Sequence, residues 1–79
     1  EEVQKLTARE ADLLSLLCQH KNQLLSRKKA LLEIWGDQDE FNRKSMDVFI
    51  SRLRKYLAKD TRLRIENVHG KGFIFYDPA

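Results

Sequence analysis

Between Arg43 and Lys71 the chain carries nine cations, Arg43, Lys44, Arg52, Arg54, Lys55, Lys59, Arg62, Arg64 and Lys71, against Asp47, Asp60 and Glu66. That is a net charge of +6 in 29 residues, while the other 50 carry −3. Cations gathered in this way suit a polyanionic partner, nucleic acid among them. They also suit a solvated face with scattered counter-charges, and charge alone leaves both open. Spacing adds chemistry. On a helix turning about 100° per residue, Lys44, Asp47, Val48, Ser51, Arg52 and Lys55 share one face. Base edges offer acceptors to Arg and Lys and an amine donor to Asp. Val48 in the middle of that face either packs on a thymine methyl or is an exposed β-branched residue with no role. Arg27-Lys28-Lys29 gathers three positive charges where the positive end of a helix dipole is expected, a local conflict that an anion would resolve. A solvated basic turn is the competing account.

Other chemistry finds little support. Cys18 and His20 are two residues apart, so on a helix they point about 160° away from each other and cannot act as nucleophile and base. Cys18 is expected in the core, where free cysteines are common. HExxH, CxxC, P-loop and GxSxG patterns do not occur. Gly70-Lys71-Gly72 is too short to cradle a phosphate chain. Asp37, Asp39 and Glu40 lack EF-hand spacing and read as a solvated loop. No catalytic residue, metal ligand or cofactor is therefore expected, and an enzyme is not the reading.

These residues need elements to position them. Thr7 and Glu10 have capping-box spacing ahead of Leu13, Leu14, Leu16 and Leu17, which predicts a first helix over Ala8 to His20. Val3 to Leu6 is a short strand candidate, and Leu24-Leu25 a brief crossing strand. Ser26 caps a second helix over Arg27 to Trp35, closed by Gly36. Gly36 to Asn42 reads as an acidic loop. With Asn42 as cap, the third helix runs from Arg43 to Lys59. Met46, Phe49, Ile50, Leu53, Tyr56 and Leu57 form its apolar face, with Arg54 at the boundary. Asp60 and Thr61 end it. Leu63 to His69 and Gly72 to Tyr76 form a β-hairpin about Gly70-Lys71, where both glycines allow left-handed dihedrals. The fold class is mainly α with a small antiparallel β component. Three helices followed by a hairpin make a winged helix-turn-helix, the third helix for recognition and the hairpin as its wing.

A chain of 79 residues with 42% hydrophobic and 34% charged residues fits one ordinary globular domain, 1–79. One Cys excludes an internal disulfide. No apolar run approaches the roughly 18 residues of a membrane helix, and no signal-peptide pattern stands at the start. The chain opens at Glu1-Glu2 without Met, as a piece of a longer protein would.

From Leu6 to Tyr76 the sequence resembles the C-terminal effector domain of OmpR/PhoB-type response regulators. The resemblance rests on Leu6-Thr7-Ala-Arg-Glu10 with the leucine pairs after it, Ser26-Arg27 with Leu31-Leu32 and Trp35-Gly36, Ser45 to Lys55 (SMDVFISRLRK), and Val68-His-Gly70-Lys-Gly72-Phe73. It implies a cytoplasmic two-component transcription regulator that binds double-stranded DNA at direct repeats, two copies head-to-tail, with a receiver domain N-terminal to this segment and an N-terminal sheet truncated here to Val3 to Leu6; the alternatives are a winged helix that docks an acidic protein and the DNA-binding domain of a regulator without a receiver. By the same resemblance Asp47, Val48 and Arg52 face bases, joined by Ser51 on the same face. Arg27, Trp35, Lys44 and Arg54, with Lys55, contact the backbone. Asn67, His69 and Lys71 belong to the wing, and the loop with Asp37, Asp39 and Glu40 meets RNA polymerase. The chain departs from the family at His69, usually Arg, and at Phe73, usually Tyr. Ser51 stands where a basic residue is frequent and Phe49 where His is.

Overall fold

The computed structural model describes residues 6–78. The strand expected over Val3 to Leu6 lies outside them apart from Leu6, which packs half-buried against the core without strand structure. Helix α1 spans Ala8–Gln19. Its capping box is present: Thr7 Oγ1 accepts the Glu10 N–H at 3.2 Å and Glu10 Oε1 accepts the Thr7 N–H at 2.9 Å. Leu13, Leu16 and Leu17 face the core. Cys18 is exposed, contrary to expectation. The buried stripe runs through 10, 13 and 17, and the next residue along a helix is turned about 100° away from it. Partial desolvation pushes the thiol up from its ordinary value, so it stays protonated near neutral pH.

Asn22, at φ 62°, turns the chain out of α1, a conformation Asn tolerates better than most side chains. Its side chain is fastened at both ends to the Asp77 backbone. Strand β1, Leu24–Ser26, follows, and Ser26 both ends it and caps helix α2, Arg27–Ile34, by accepting the Lys29 N–H at 3.0 Å. Ala30 and Leu31 anchor α2, and Gly36 closes it at φ 85°.

Helix α3 runs Glu40–Leu57, starting three residues earlier than expected and ending two earlier. Its cap is Asp39, whose carboxylate accepts the Asn42 N–H at 2.8 Å. Asp37 Oδ1 completes the turn, accepting from the Asp39 N–H and the Asn42 side-chain amide. Asn42, expected as the cap, is thus inside the helix, and the acidic loop shrinks to the residues around Asp37. Met46, Ile50, Leu53 and Leu57 are buried on one face of α3; Phe49 and Tyr56 are half-buried beside them.

Strands β2, Arg64–Val68, and β3, Gly72–Tyr76, form the hairpin. Val68 pairs Gly72, so the connection is His69 to Lys71, closed by the Lys71 N–H donating to the Val68 carbonyl at 2.9 Å. Only Gly70 uses positive φ, at 72°. Gly72 is required for a different reason: a Cβ there would stand 2.1 Å from the Leu25 carbonyl oxygen. β1 pairs β3 antiparallel with Leu25 opposite Phe73 and Ser26 opposite Gly72, giving a three-stranded sheet in the order β1-β3-β2. Phe73, Leu13, Leu17, Leu25, Leu31, Met46, Ile50 and Leu53 are the largest fully buried side chains, one core shared by three helices and the sheet. Among the described residues no helix is long and apolar enough to cross a membrane.

Candidate nucleic-acid interface

Three side-chain anchors hold the polar face of α3 to the elements around it. Arg54 Nε donates to the Ile65 carbonyl at 3.0 Å, tying the helix to β2. Arg27, at the start of α2, pairs with Asp47 on α3 at 2.9 Å while its guanidinium lies 5.3 Å from the Phe73 ring centre. Arg52 Nη1 donates to Glu10 Oε2 at 3.3 Å, joining α3 to the first turn of α1. Each anchor uses part of a guanidinium and leaves the rest for a partner, which suits a planar group with five donors.

Between α3 and the hairpin lies an open cleft of about 350 Å³, lined by Arg27, Asp47, Ser51, Arg54, Asn67 and His69 with Gly70 and Phe73. A second cleft of about 350 Å³ lies between the start of α2 and the hairpin turn. Arg27, Lys28, Arg43 and Lys71 reach it, so Arg27 stands on the rim of both. The structure therefore brings Arg27, Asp47, Ser51, Arg54, Asn67, His69 and Lys71 onto one continuous face, although they come from four segments of the chain. Val48 projects from that helix half-exposed, at 49%, and Ser51 and Lys55 are exposed with it. Lys44 is exposed and lies 3.8 Å from Glu40 one helical turn earlier.

Trp35, Asp37, Asp39 and Glu40 line neither cleft. Trp35 is half-buried, its ring 5.4 Å from Phe49 and 5.5 Å from the Arg9 guanidinium. Asp37 and Asp39 spend their carboxylates on the start of α3, and exposed Glu40 opens that helix. Beside them Phe41 is 76% exposed. Among the described residues no three His, Cys, Asp or Glu side chains are grouped to hold a metal ion.

Arg43 lines the second cleft, and Glu10 lies beneath this surface through its bond to Arg52. Glu10 is the buried acid of the described residues, 4% exposed. The Thr7 N–H holds its carboxyl below the usual value against the opposing effect of burial, with Arg52 assisting. The sequence marks Glu10 as a cap; nothing in the spacing shows that its second oxygen reaches a residue 42 positions away.

A three-helix core with a β-hairpin beside a basic, groove-sized helical face is a winged helix. Residues 1–75 match the family described as "Transcriptional regulatory protein, C terminal", and the chain belongs to that family. It is 50% identical over 74 residues to the transcriptional regulatory protein RprY of Bacteroides fragilis, covering 94% of this chain and 31% of that protein. It is 40% identical over 75 residues to the uncharacterized transcriptional regulatory protein YclJ of Bacillus subtilis, covering 95% and 33%. The chain thus spans about a third of the length of these curated relatives. Among solved structures, the DNA-binding domain of CpxR from E. coli superposes with a TM-score of 0.80 at 33% identity, over 95% of this chain and 76% of that one. The Klebsiella pneumoniae RstA DNA-binding domain, solved in complex with the RstA box, gives 0.75 at 35% identity, over 91% and 73%.

Proposed function

We propose that this domain is the output module of a two-component transcription regulator and binds double-stranded DNA sequence-specifically. The observation that carries the reading is the continuous face on which α3, the start of α2 and the hairpin present cations around two clefts. A major groove admits one helix, and α3 offers it Asp47, Val48, Ser51 and Arg52. Arg27, Lys44, Arg54 and Lys55 flank that helix as phosphate contacts, with Trp35 in support from behind through Phe49. The hairpin, with Asn67, His69 and Lys71, lies at the adjoining minor groove, whose negative potential favours cations. The relation to the RstA domain, solved on its own box, supports the same ligand class. In the full protein a receiver precedes this segment, two copies sit head-to-tail on direct repeats, and the surface around Asp37, Asp39, Glu40 and exposed Phe41 meets RNA polymerase. The site of action is the cytoplasm.

Selection of bound duplexes from a random pool tests the reading. Enrichment of one motif, lost on competition with its scrambled version, is expected. A pool that stays random after several rounds, with binding set by salt alone, would reduce the surface to a non-specific polyanion face.

A further inference from the structure

We propose that Glu10 is a positioning residue for base recognition: it holds the Arg52 guanidinium in the orientation that reads DNA. The inference rests on the DNA-binding reading above and deepens it. Glu10 is almost fully buried, whereas the Arg52 side chain is 58% exposed. One carboxylate oxygen, Oε1, is already satisfied by the Thr7 N–H. The other, Oε2, takes Arg52 Nη1. The guanidinium also lies 6.0 Å from the centre of the Phe49 ring, and Phe49 is itself braced by Trp35. An anchor on Nη1 leaves the Nε–Nη2 edge, a two-donor fork, on a side chain that is 58% exposed. That fork is the geometry that matches the O6 and N7 acceptors of guanine.

Here the acid is buried and the base is presented. Glu10 needs a cation, because an unpaired buried carboxylate is costly. In meeting that need Arg52 loses the rotamer freedom it would otherwise surrender on binding. A free long side chain must be ordered by its ligand; this one is ordered by α1 in advance.

Glu10→Gln is the decisive variant. Glutamine also serves in a capping box, so its carbonyl keeps the Thr7 N–H bond. Its amide would then turn a donor toward Arg52 and release the guanidinium. Site selection and affinity are measured for the native chain, Glu10→Gln and Arg52→Ala, with Thr7→Ala as a control that weakens the cap without touching Arg52. Glu10→Gln should bind the selected site roughly 3- to 10-fold more weakly, the cost of ordering one such side chain. It should lose preference at the same base position as Arg52→Ala, and bind non-specific duplex as the native chain does. Thr7→Ala should keep the native preference. If Arg52→Ala changes the preference and Glu10→Gln does not, the positioning role is wrong and base reading by Arg52 stands. If neither changes it, Arg52 reads no base and both fall. A measurement on the unmutated domain covers the case in which Glu10→Gln does not fold. The Arg52 Nε–H should show an NMR order parameter near the rigid value of about 0.85, and one below about 0.6 would overturn the proposal.

Discussion

Replacing Gly72 by Ala would set a methyl carbon 2.1 Å from the Leu25 carbonyl oxygen and 2.9 Å from both the Leu25 carbonyl carbon and the Ser26 Cα. All three atoms are backbone, so no side chain can swing aside. Either β1 leaves β3, giving up the Leu24–Ile74, Leu25–Phe73 and Ser26–Gly72 pairings, or the hairpin shifts against the core. Forcing a methyl group into a packed site costs about 1–3 kcal/mol, and a rigid backbone neighbour puts this case at the upper end. For a domain of this size about 3 kcal/mol lowers Tm by roughly 12–24 °C. Gly70 is the internal comparison. It has φ 72° and open space where its Cβ would go, so Gly70→Ala meets only the left-handed penalty of about 1–2 kcal/mol. Asn should relieve Gly70 and do nothing for Gly72. Thermal unfolding followed by circular dichroism on Gly72→Ala, Gly70→Ala, Gly72→Asn and Gly70→Asn separates the two mechanisms. A Gly72→Ala domain no less stable than Gly70→Ala would refute the close-approach argument.

Further outcomes can be checked alongside. Asp60 is held at about 2 by hydrogen bonds from the Arg62 side chain and backbone; in Arg62→Ala a carboxyl NMR titration should show its midpoint move up toward the ordinary Asp range. The folded-state value of Glu10 is lowered, so its contribution to stability is present above the unfolded-state value and is lost as pH falls through the folded one. Urea midpoints measured down through the acid range should therefore fall less steeply for Glu10→Gln than for the native domain. Lys71→Gln should lower the slope of log affinity against log salt by about 0.9, the loss of one phosphate contact. Arg62→Gln, already tied to Asp60, should leave that slope unchanged.

Local signals carried the elements, and contacts distant in sequence were the part they did not carry. The Thr7–Glu10 box fixed the start of α1, and the 3.6-residue period separated the Met46–Leu57 core stripe from the polar face of α3. Spacing alone sets the start of α3 too late, because Asp39 and Asn42 are both cap-type residues. What decides between them is a side-chain fork at Asp37, which spacing does not display. β1 has three residues, too few for alternation to register; its identity comes from pairing with β3. Gly72 stands out in the sequence as a special position but not for its actual cause, because a missing Cβ serves dihedral freedom and close approach equally. Cys18 defeats the expectation of burial because its residue type favours the core while its position on α1 does not. For the surface, periodicity put Asp47, Val48, Ser51 and Arg52 on one face. The Arg27–Asp47 and Arg52–Glu10 pairs were beyond reach, since in a chain with 15 Lys plus Arg and 12 Asp plus Glu each charge has many possible partners.

The Arg54–Ile65 bond has a consequence for the ligand rather than for the protein. It ties α3 to the wing, and the β1–β3 ladder ties the wing's root to the body of the domain. On the proposed docking, a reader braced in this way leaves adjustment to the DNA between the helix and the hairpin. Base pairs in that interval would then weigh on affinity through their stiffness: flexible TA or CA steps there lower the cost of fitting, and a stiff A-tract held at the wrong groove width raises it.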